Sequence, residues 1–158
     1  VLRLSNGFGA PASPEADRWT LVVNDLCRQA VTTERLVLKT PGLQRRDFIT
    51  LNDVARAVSH MLELEPDMCG DGLFNLGGED AVSILDMANL IAARCETTLG
   101  SRLPVERPEA VASETVDDLE YRIDKIKSTG FTLTGDAEGE IDATLRFCAE
   151  YFGRGKKR

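Results

Sequence analysis

Apolar residues follow two alternating patterns along this chain, short continuous runs and stripes that recur at intervals of three and four residues. The runs predict β-strands at residues 1–5, 36–38, 48–51 and 73–76. The stripes predict amphipathic helices over residues 17–31, 54–64, 83–95 and 141–152, with a short helix at residues 124–129. Because strands and helices alternate, the pattern favours an α/β architecture.

The second and third of these long helices have recognisable starts. Asn52 and Asp53 are suited to begin the second helix, since both residue types are favoured at helix N-termini. Ser83 begins the third helix, with Asp86 three residues on in a capping-box-like spacing. The stripe that the second helix is expected to bury consists of Val54, Val58, Met61 and Leu62.

Only the strands at residues 1–5 and 73–76 are suited to a central parallel sheet. Residues 6–11 contain two glycines and a proline, which predict a loop, and the carboxylate-rich residues 105–120 predict irregular structure. Two parallel strands alone leave edges unpaired and cannot bury both faces. We therefore expect a further part of the same protein, or another chain, to complete the sheet.

The composition narrows the class of protein. Of the 158 residues, 42% are hydrophobic and 28% are charged, which is typical of one soluble globular domain, placed at residues 1–152. The net charge of −7 argues against a nucleic-acid partner, because such binding relies on Lys and Arg neutralising phosphates. Residues 153–158 (GRGKKR) are expected to form a basic, disordered tail.

The cysteines and the hydropathy pattern bear on where the protein resides. No apolar run approaches the roughly 20 residues that span a bilayer, so we expect no membrane association. Three cysteines, Cys27, Cys95 and Cys148, fall on apolar helix faces, where cysteine behaves as a small hydrophobe. With Cys69 they are far apart and form no C-x-x-C pair, unlike a secreted disulfide scaffold. A reduced, cytoplasmic protein is expected.

Four segments, in this order, carry a resemblance to a known family. Residues 1–9 (VLRLSNGFG) resemble its RxxNxxG strand and loop, and residues 42–57 (GLQRRDFITLNDVARA) resemble its GxQxRDFIxVxDVAxA segment. Residues 73–78 (LFNLGG) resemble its YNIGSG strand, and residues 124–131 (DKIKSTGF) resemble its DxSKxKxxLGW segment. Over residues 1–152 the chain is similar to the extended short-chain dehydrogenase/reductase family, which includes NAD-dependent nucleotide-sugar epimerases and dehydratases.

The resemblance implies the C-terminal part of a Rossmann-like NAD(P)-binding fold, with a small mixed α/β subdomain that binds the substrate. In this family the dinucleotide lies on a Gly-rich turn, and catalysis uses a Tyr-x-x-x-Lys pair. Both match positions before the residue at which this chain begins. NAD or NADP is accordingly expected mainly on an N-terminal half that this chain lacks, and the chain alone is expected to be inactive. The resemblance also implies a nucleotide-sugar substrate and a homodimer for the full-length protein.

Two arginines match family positions that bind the substrate diphosphate. A guanidinium suits this task because its planar fork can pair two oxygens at once. Arg46 matches the first position, whereas Arg107 matches a second one in a segment that reads RPEA here and RPGD in the family. From the residues alone, Arg46 could instead be a surface arginine or pair with Asp47 or Asp53.

Three further residues match family positions near the substrate and cofactor. Asn6 stands at the carboxyl end of the first strand, where α/β folds bind ligands. It matches an asparagine that hydrogen-bonds the sugar-phosphate, or it is a turn asparagine before Gly7. Ser5 would offer its backbone near the nicotinamide. Gln44 matches a family glutamine that could reach the nucleotide or cap the turn.

Other features are explained more simply by structure. Tyr121 and Lys125 have the Tyr-x-x-x-Lys spacing, but the matched register places them before the final helix. His60, the one histidine, has no partner of motif quality, so neither a metal site nor a catalytic residue is assigned. Asp47 is expected to orient Arg46 and the turn, and Asp53 to occupy the first helical turn, where negative charge is favoured.

Three hypotheses follow. The leading one is the nucleotide-sugar-binding part of an NAD(P)-dependent epimerase, dehydratase or reductase, with the choice among these reactions and between NAD and NADP left open. The second is a non-catalytic module that binds a nucleotide or a partner. The third is a redox relative that acts on non-sugar alcohols or ketones and has no diphosphate to hold.

Overall fold

A parallel pair of strands joined through a helix forms one part of the molecule. The computed structural model describes residues 1–110 and 119–153. Strand β1 (Leu2–Leu4) pairs in parallel with β5 (Phe74–Leu76), and helix α2 (Leu51–Glu63) lies between them in the chain. The register places Leu2 opposite Phe74 and Leu4 opposite Leu76. Both strands that the sequence assigned to a parallel sheet therefore do belong to one, and they are neighbours in it.

A second, mixed sheet contains three strands, β2 (Asn6–Phe8), β4 (Arg45–Thr50) and β6 (Ala81–Ser83). β4 is central, with β2 parallel on one side and β6 antiparallel on the other. The predicted loop over residues 6–11 is therefore wrong in its first three residues. Their backbone groups find partners on β4, a tertiary pairing that the local Asn-Gly signal does not reveal.

A third sheet consists of two short strands, β3 (Leu36–Val37) and β7 (Val105–Glu106), which pair in parallel. β7 corrects the expectation of irregular structure from residue 105. It was not visible in the sequence because its two residues form a strand only against β3. Residues 111–118 of the segment expected to be irregular lie outside the described residues.

Three helices enclose the larger hydrophobic cluster: α1 (Val22–Thr33), α3 (Ile84–Leu99) and α5 (Ala137–Phe152). Each buries most of the stripe that its sequence predicted, although Val22 of α1 is 37% exposed. Ala88, Ile91 and Cys95 of α3 are fully buried, as are Ile141, Leu145 and Cys148 of α5. Trp19 precedes α1 and closes the cluster by stacking on Phe147 at 5.9 Å between ring centroids.

A smaller cluster lies between β5, α2 and the short helix α4 (Asp124–Lys127). Here the predicted stripe of α2 is partly wrong. Val58 and Leu62 are 44% and 83% exposed, whereas Ala57 is fully buried. The face that packs into this cluster consists of Val54, Ala57 and Met61, because helical geometry puts positions three and seven residues on from Val54 on its side. Burying a small alanine there allows close packing.

The helix boundaries shift from the sequence-based expectation by a few residues. α2 begins at Leu51, since the Thr50 hydroxyl caps it by accepting a hydrogen bond from Asp53 N, and not at Asn52. Ser83 caps α3 through Asp86 N at 2.9 Å, as predicted. α1 begins at Val22 and not at residue 17, and its N-cap Leu21 has no side-chain cap.

Three further expectations concern the C-terminal tail, membrane-spanning helices and the cysteines. The last five residues of the predicted tail, 154–158, lie outside the described residues. Within the described ranges, none of the helices combines the length and apolar character needed to span a bilayer. All four cysteines are unpaired.

Candidate functional site

The chain changes sheets at Ser5 and Asn6. β1 ends at Leu4 in the β1–β5 pair, and Asn6 starts β2 in the mixed sheet. Ser5 continues the first sheet for one further bond, donating from its N–H to Leu76 O at 3.0 Å. Such a divergence at the carboxyl ends of parallel strands opens a crevice, which is where open α/β sheets bind ligands.

A cavity of about 410 Å³ opens beside β2 and β4. Its wall consists of β2, the start of α1, the loop between β3 and β4, and the first half of β4. Three predicted site residues, Asn6, Gln44 and Arg46, line it together. The two other predicted residues, Ser5 and Arg107, are not among its lining residues.

Arg46 is the cation that β4 contributes to this cavity. Its side chain is half-buried, and among the described residues it has no hydrogen-bond or ion-pair partner. The two carboxylates that could have neutralised it are engaged elsewhere, Asp47 with Gly78 and Asp53 with Arg56. A partly desolvated guanidinium without a partner is unfavourable unless a ligand supplies the missing acceptor.

Asp47 organises the backbone around the crevice. The residue is 1% exposed, and its Oδ1 accepts a hydrogen bond from Gly78 N at 2.8 Å. Its carbonyl accepts from Asn6 Nδ2 at 2.9 Å, which fixes the side chain of Asn6 at the rim. Asp47 thus holds the turn after β5. The expectation that it orients Arg46 is wrong, because no hydrogen bond or ion pair joins the two described side chains.

The start of α1 forms the opposite wall of the cavity. Residues 20–23 line it, and the first turn of α1 lacks a side-chain cap. Uncapped N–H groups and the helix dipole favour an anion at this end of a helix. Asn24 fixes the position of this end. Its Nδ2 donates to Gly9 O at 2.9 Å, and its Oδ1 accepts from Gly9 N at 3.2 Å.

The remaining predicted residues have clear structural surroundings. Arg107 is exposed and donates from Nη1 to Pro41 O at 2.8 Å, so it supports the loop between β3 and β4. The Ser5 hydroxyl oxygen is buried and has no hydrogen-bond partner among the described residues. An orphaned buried hydroxyl at the end of β1 is compatible with a ligand group that approaches this edge.

Sequence reasoning missed three residues of this site, namely Thr20, Asn24 and Lys39. Lys39 and Thr20 line the cavity from exposed positions in loops, where lysine and threonine ordinarily only contact solvent. Asn24 is 2% exposed within α1. A polar residue inside an apolar helical stripe was the one signal that could have identified it.

A second cavity, of about 340 Å³, lies beyond Phe8 and Phe48, which line both cavities. Its charged lining residues are Asp53, Asp80 and Asp86, and none of the described residues that line it is Lys or Arg. Burial would raise the pKa of Asp53, but hydrogen bonds from Thr134, Arg56 and Gly135 outweigh it and lower that pKa. This cavity does not suit a phosphate.

The remaining candidate groups have structural partners. The Tyr121 hydroxyl donates to Arg3 O at 2.9 Å, and burial followed by the charge of Asp47 raises the pKa of Tyr121. Lys125 lies over the Phe74 ring, and His60 Nε2 lies 2.7 Å from the Thr129 hydroxyl. In the ranges 1–110 and 119–153, no three His, Cys, Asp or Glu side chains are grouped to hold a metal ion.

Parallel strands connected through a helix, and a crevice at their carboxyl ends, define a Rossmann-like α/β protein. Solved structures share this fold. One is the UDP-N-acetylglucosamine 4-epimerase of Methanobrevibacter ruminantium in complex with UDP-N-acetylmuramic acid, with TM-score 0.68 and 18% identity over 94% of this chain. Another is the UDP-glucuronic acid 4-epimerase of Bacillus cereus in complex with UDP-glucuronic acid and NAD, with TM-score 0.69 and 22% identity over 94% of this chain. The predicted fold class is confirmed.

The sequence comparisons match part of the chain to known proteins. The model of the NAD-dependent epimerase/dehydratase family matches residues 1–77. The chain is 38% identical over 93 residues, 59% of its length, to a dTDP-L-rhamnose 4-epimerase of Burkholderia thailandensis. The match over residues 1–77 confirms the resemblance that the motifs predicted. It spans 25% of that relative, and 45% and 44% of the two solved chains.

Proposed function

We propose that residues 1–152 bind the nucleoside diphosphate of a nucleotide-sugar, as the substrate-binding part of an NAD(P)-dependent epimerase, dehydratase or reductase. The observation that carries the proposal is the guanidinium of Arg46, which lines a cavity of about 410 Å³ and has no hydrogen-bond or ion-pair partner among the described residues. The matches to the family model and to a dTDP-L-rhamnose 4-epimerase make a nucleotide-sugar the ligand class to test first.

The start of α1 supports the same ligand. Its uncapped first turn lines the cavity that Arg46 also lines. Backbone N–H groups at a helix N-terminus and a guanidinium both bind phosphate oxygens, the first through the dipole and the second through paired hydrogen bonds. A diphosphate held between them would be neutralised on two sides.

The other predicted residues take roles consistent with their positions. Asn6 already donates one hydrogen bond through Nδ2, which leaves its Oδ1 to accept from a sugar hydroxyl. Gln44 lines the cavity and is exposed, so its amide can reach the nucleotide. Arg107 adds positive charge beside the loop that it holds.

Ser5 would lie beside a bound NAD(P) cofactor, since its buried hydroxyl has no hydrogen-bond partner among the described residues. When bound, the nicotinamide would supply hydride transfer to or from the sugar. The residues of this chain would hold the diphosphate and thereby direct the sugar towards the carboxyl end of β1. No residue of this chain is assigned a proton-transfer step, and we expect the chain alone to show no turnover.

Calorimetric titration with UDP, dTDP, ADP and GDP tests this function. Arg46→Ala is expected to weaken the binding of whichever nucleotide the chain prefers by about 1.5–3 kcal/mol, as for a hydrogen bond to a charged group. This corresponds to a roughly ten- to hundredfold increase in Kd. Circular dichroism of the variant reports whether the fold is retained.

Arg122→Ala is the matched control, because Arg122 is 73% exposed and pairs with Glu120 on the surface. It removes the same charge and should leave Kd unchanged. Equal nucleotide affinity in the wild type and in Arg46→Ala would contradict the proposal and favour a relative that acts on non-sugar alcohols or ketones. Nucleotide binding without turnover when the remainder of the enzyme is supplied would favour the non-catalytic module.

A further inference from the structure

The carboxylate of Glu140 lies where three elements meet. Glu140 belongs to the start of α5, and its Oε2 accepts a hydrogen bond from Asn52 N, in the first turn of α2, at 3.2 Å. Its Oε1 lies against Gly9, in the turn after β2, where an added Cβ would be 2.3 Å from this oxygen. Glu140 therefore joins α5, a helix of the larger hydrophobic cluster, to α2, which packs into the smaller one.

The charged groups that face Glu140 from neighbouring segments are both carboxylates, Asp53 of α2 and Asp136 just before α5. Arg56 of α2 is engaged by Asp53 at 2.7 Å, and Arg94 of α3 pairs with two other carboxylates of α5. In the parts of the chain that the structure describes, no cation pairs with Glu140. An ionised side chain at this place is therefore repelled by like charges and is only partly solvated.

These surroundings alter the titration of Glu140. Burial raises its pKa, and the charges of Asp136 and Asp53 raise it further, although the hydrogen bond from Asn52 N opposes them. In the unfolded chain these contacts are absent, and a glutamate titrates at about 4.3. Folding thus favours the protonated side chain. The resulting stabilisation is complete below the unfolded pKa and is lost as the pH rises through the higher, folded value.

Gly9 connects Glu140 to α1. Gly9 is buried, its φ is 151°, and its carbonyl and N–H are bonded to the side chain of Asn24 at 2.9 and 3.2 Å. Leu51 Cβ would lie 3.0 Å from an added Cβ on Gly9, so the turn is confined on this side as well. A movement of the Glu140 side chain is therefore felt at Gly9, at Asn52 or at both.

We propose that Glu140 is a proton-sensitive clamp between α5, α2 and the turn after β2, and that this clamp tightens when the carboxylate takes up a proton from solvent. The neutral carboxyl group still has an oxygen that accepts from Asn52 N, whereas its repulsion from Asp53 and Asp136 ends. The inference is independent of the proposed function, because it concerns the stability and local structure of the chain itself.

Urea unfolding of the whole chain at pH 7 and at pH 4 tests the clamp. Glu140→Gln keeps an acceptor for Asn52 N and removes the charge, so its urea midpoint should lie above that of the wild type at pH 7 and approach it at pH 4. Glu140→Ala should unfold at lower urea than both at pH 4, because Asn52 N then has no partner. Glu63→Gln removes an exposed carboxylate of α2 and should match the wild type at both pH values. A midpoint for Glu140→Gln at or below that of the wild type at pH 7 would overturn the proposal.

A pH titration followed by nuclear magnetic resonance locates the effect. The side-chain carboxyl carbon of Glu140 should titrate above the value of about 4.3 for an unperturbed glutamate. The amide resonances of Asn52 and Gly9 should shift with the same midpoint, and this transition should be absent in Glu140→Gln. Amide resonances that keep the transition in Glu140→Gln would assign it to Asp53 or Asp136 and would contradict the clamp.

Discussion

Cys27, Cys95 and Cys148 come from three different helices and are all fully buried in the larger hydrophobic cluster. Burial disfavours the charged thiolate, and this raises the pKa of Cys95 to about 11 and that of Cys148 to about 12. Burial, followed by the proximity of Cys148 and Cys95, raises the pKa of Cys27 well above its ordinary value. These thiols pack as small apolar groups and are protonated at neutral pH.

Thiol reactivity should therefore distinguish one cysteine from the other three. We expect a water-soluble aromatic disulfide reagent at pH 8 to label Cys69, which is partly exposed, and not the three buried thiols. All four should react in denaturant. Cys69→Ser is the control and should abolish labelling of the native chain. Rapid native labelling of a second cysteine would show that the three-helix cluster opens.

At the scale of elements, α3 and α5 are joined by a charged network beside their apolar stripes. Arg94 of α3 pairs with Asp142 of α5 at 2.5 Å and with Glu138 at 2.8 Å. Thr98 adds a hydrogen bond to Asp142 Oδ1 at 2.9 Å. The hydrogen bond from Arg94, together with that from Thr98, lowers the pKa of Asp142 despite its burial. The network fixes how the two helices lie along each other.

The lowered pKa predicts how stability depends on pH. Because the pKa of Asp142 is lower in the folded chain than in the unfolded chain, its ion pair stabilises the fold above the unfolded value of about 3.9. This contribution is lost as the pH falls through the lower, folded value. Urea unfolding should therefore show Asp142→Asn to be less stable than the wild type at pH 6, with the difference shrinking towards pH 2.

Asp17→Asn is the control for this titration, because Asp17 is exposed in the segment before α1. It should leave the urea midpoint close to that of the wild type at both pH values. A stability difference between Asp142→Asn and the wild type that stays constant from pH 6 to pH 2 would contradict the role of the Arg94 pair.

At the scale of the whole molecule, each of the two hydrophobic clusters supports different elements around the cavity. The three-helix cluster holds α1, whose first turn forms one wall of the cavity at which we propose that the diphosphate binds. The smaller cluster supports β5 and the strand β1, at whose end Ser5 and Asn6 lie. The cavity lies where the polypeptide passes between the sheets, so both clusters determine its shape.

A pair of identical substitutions tests where the core lies. Leu145→Ala removes a fully buried side chain from the three-helix cluster, and we expect a loss of about 2–5 kcal/mol in the free energy of unfolding. Leu62→Ala truncates a side chain that is 83% exposed in α2, and the expected change is within about 0.5 kcal/mol. Chemical denaturation measures both. A loss for Leu62→Ala as large as that for Leu145→Ala would indicate that Leu62 is buried, as the sequence predicted, and would contradict this structure.

Local sequence signals were sufficient for much of the fold. The stripes of α3 and α5 were predicted correctly because a helix that packs on one side must repeat apolar residues every three or four positions. The cap at Ser83 was predicted because its bond to Asp86 N is local. β2 and β7 were missed, since each strand depends on a partner more than 35 residues away in the chain.

The sequence by itself determined the resemblance to a family, the assignment of β1 and β5 to a parallel sheet and the placing of Arg46 among the candidate ligands, because motifs and periodicity are properties of neighbouring residues. Only the tertiary structure decided that Asn6, Gln44 and Arg46 share a cavity, that Arg107 supports a loop beside it, and that Lys39 belongs to it. Which side chains meet, and which remain without a partner, depends on how distant strands and helices pack.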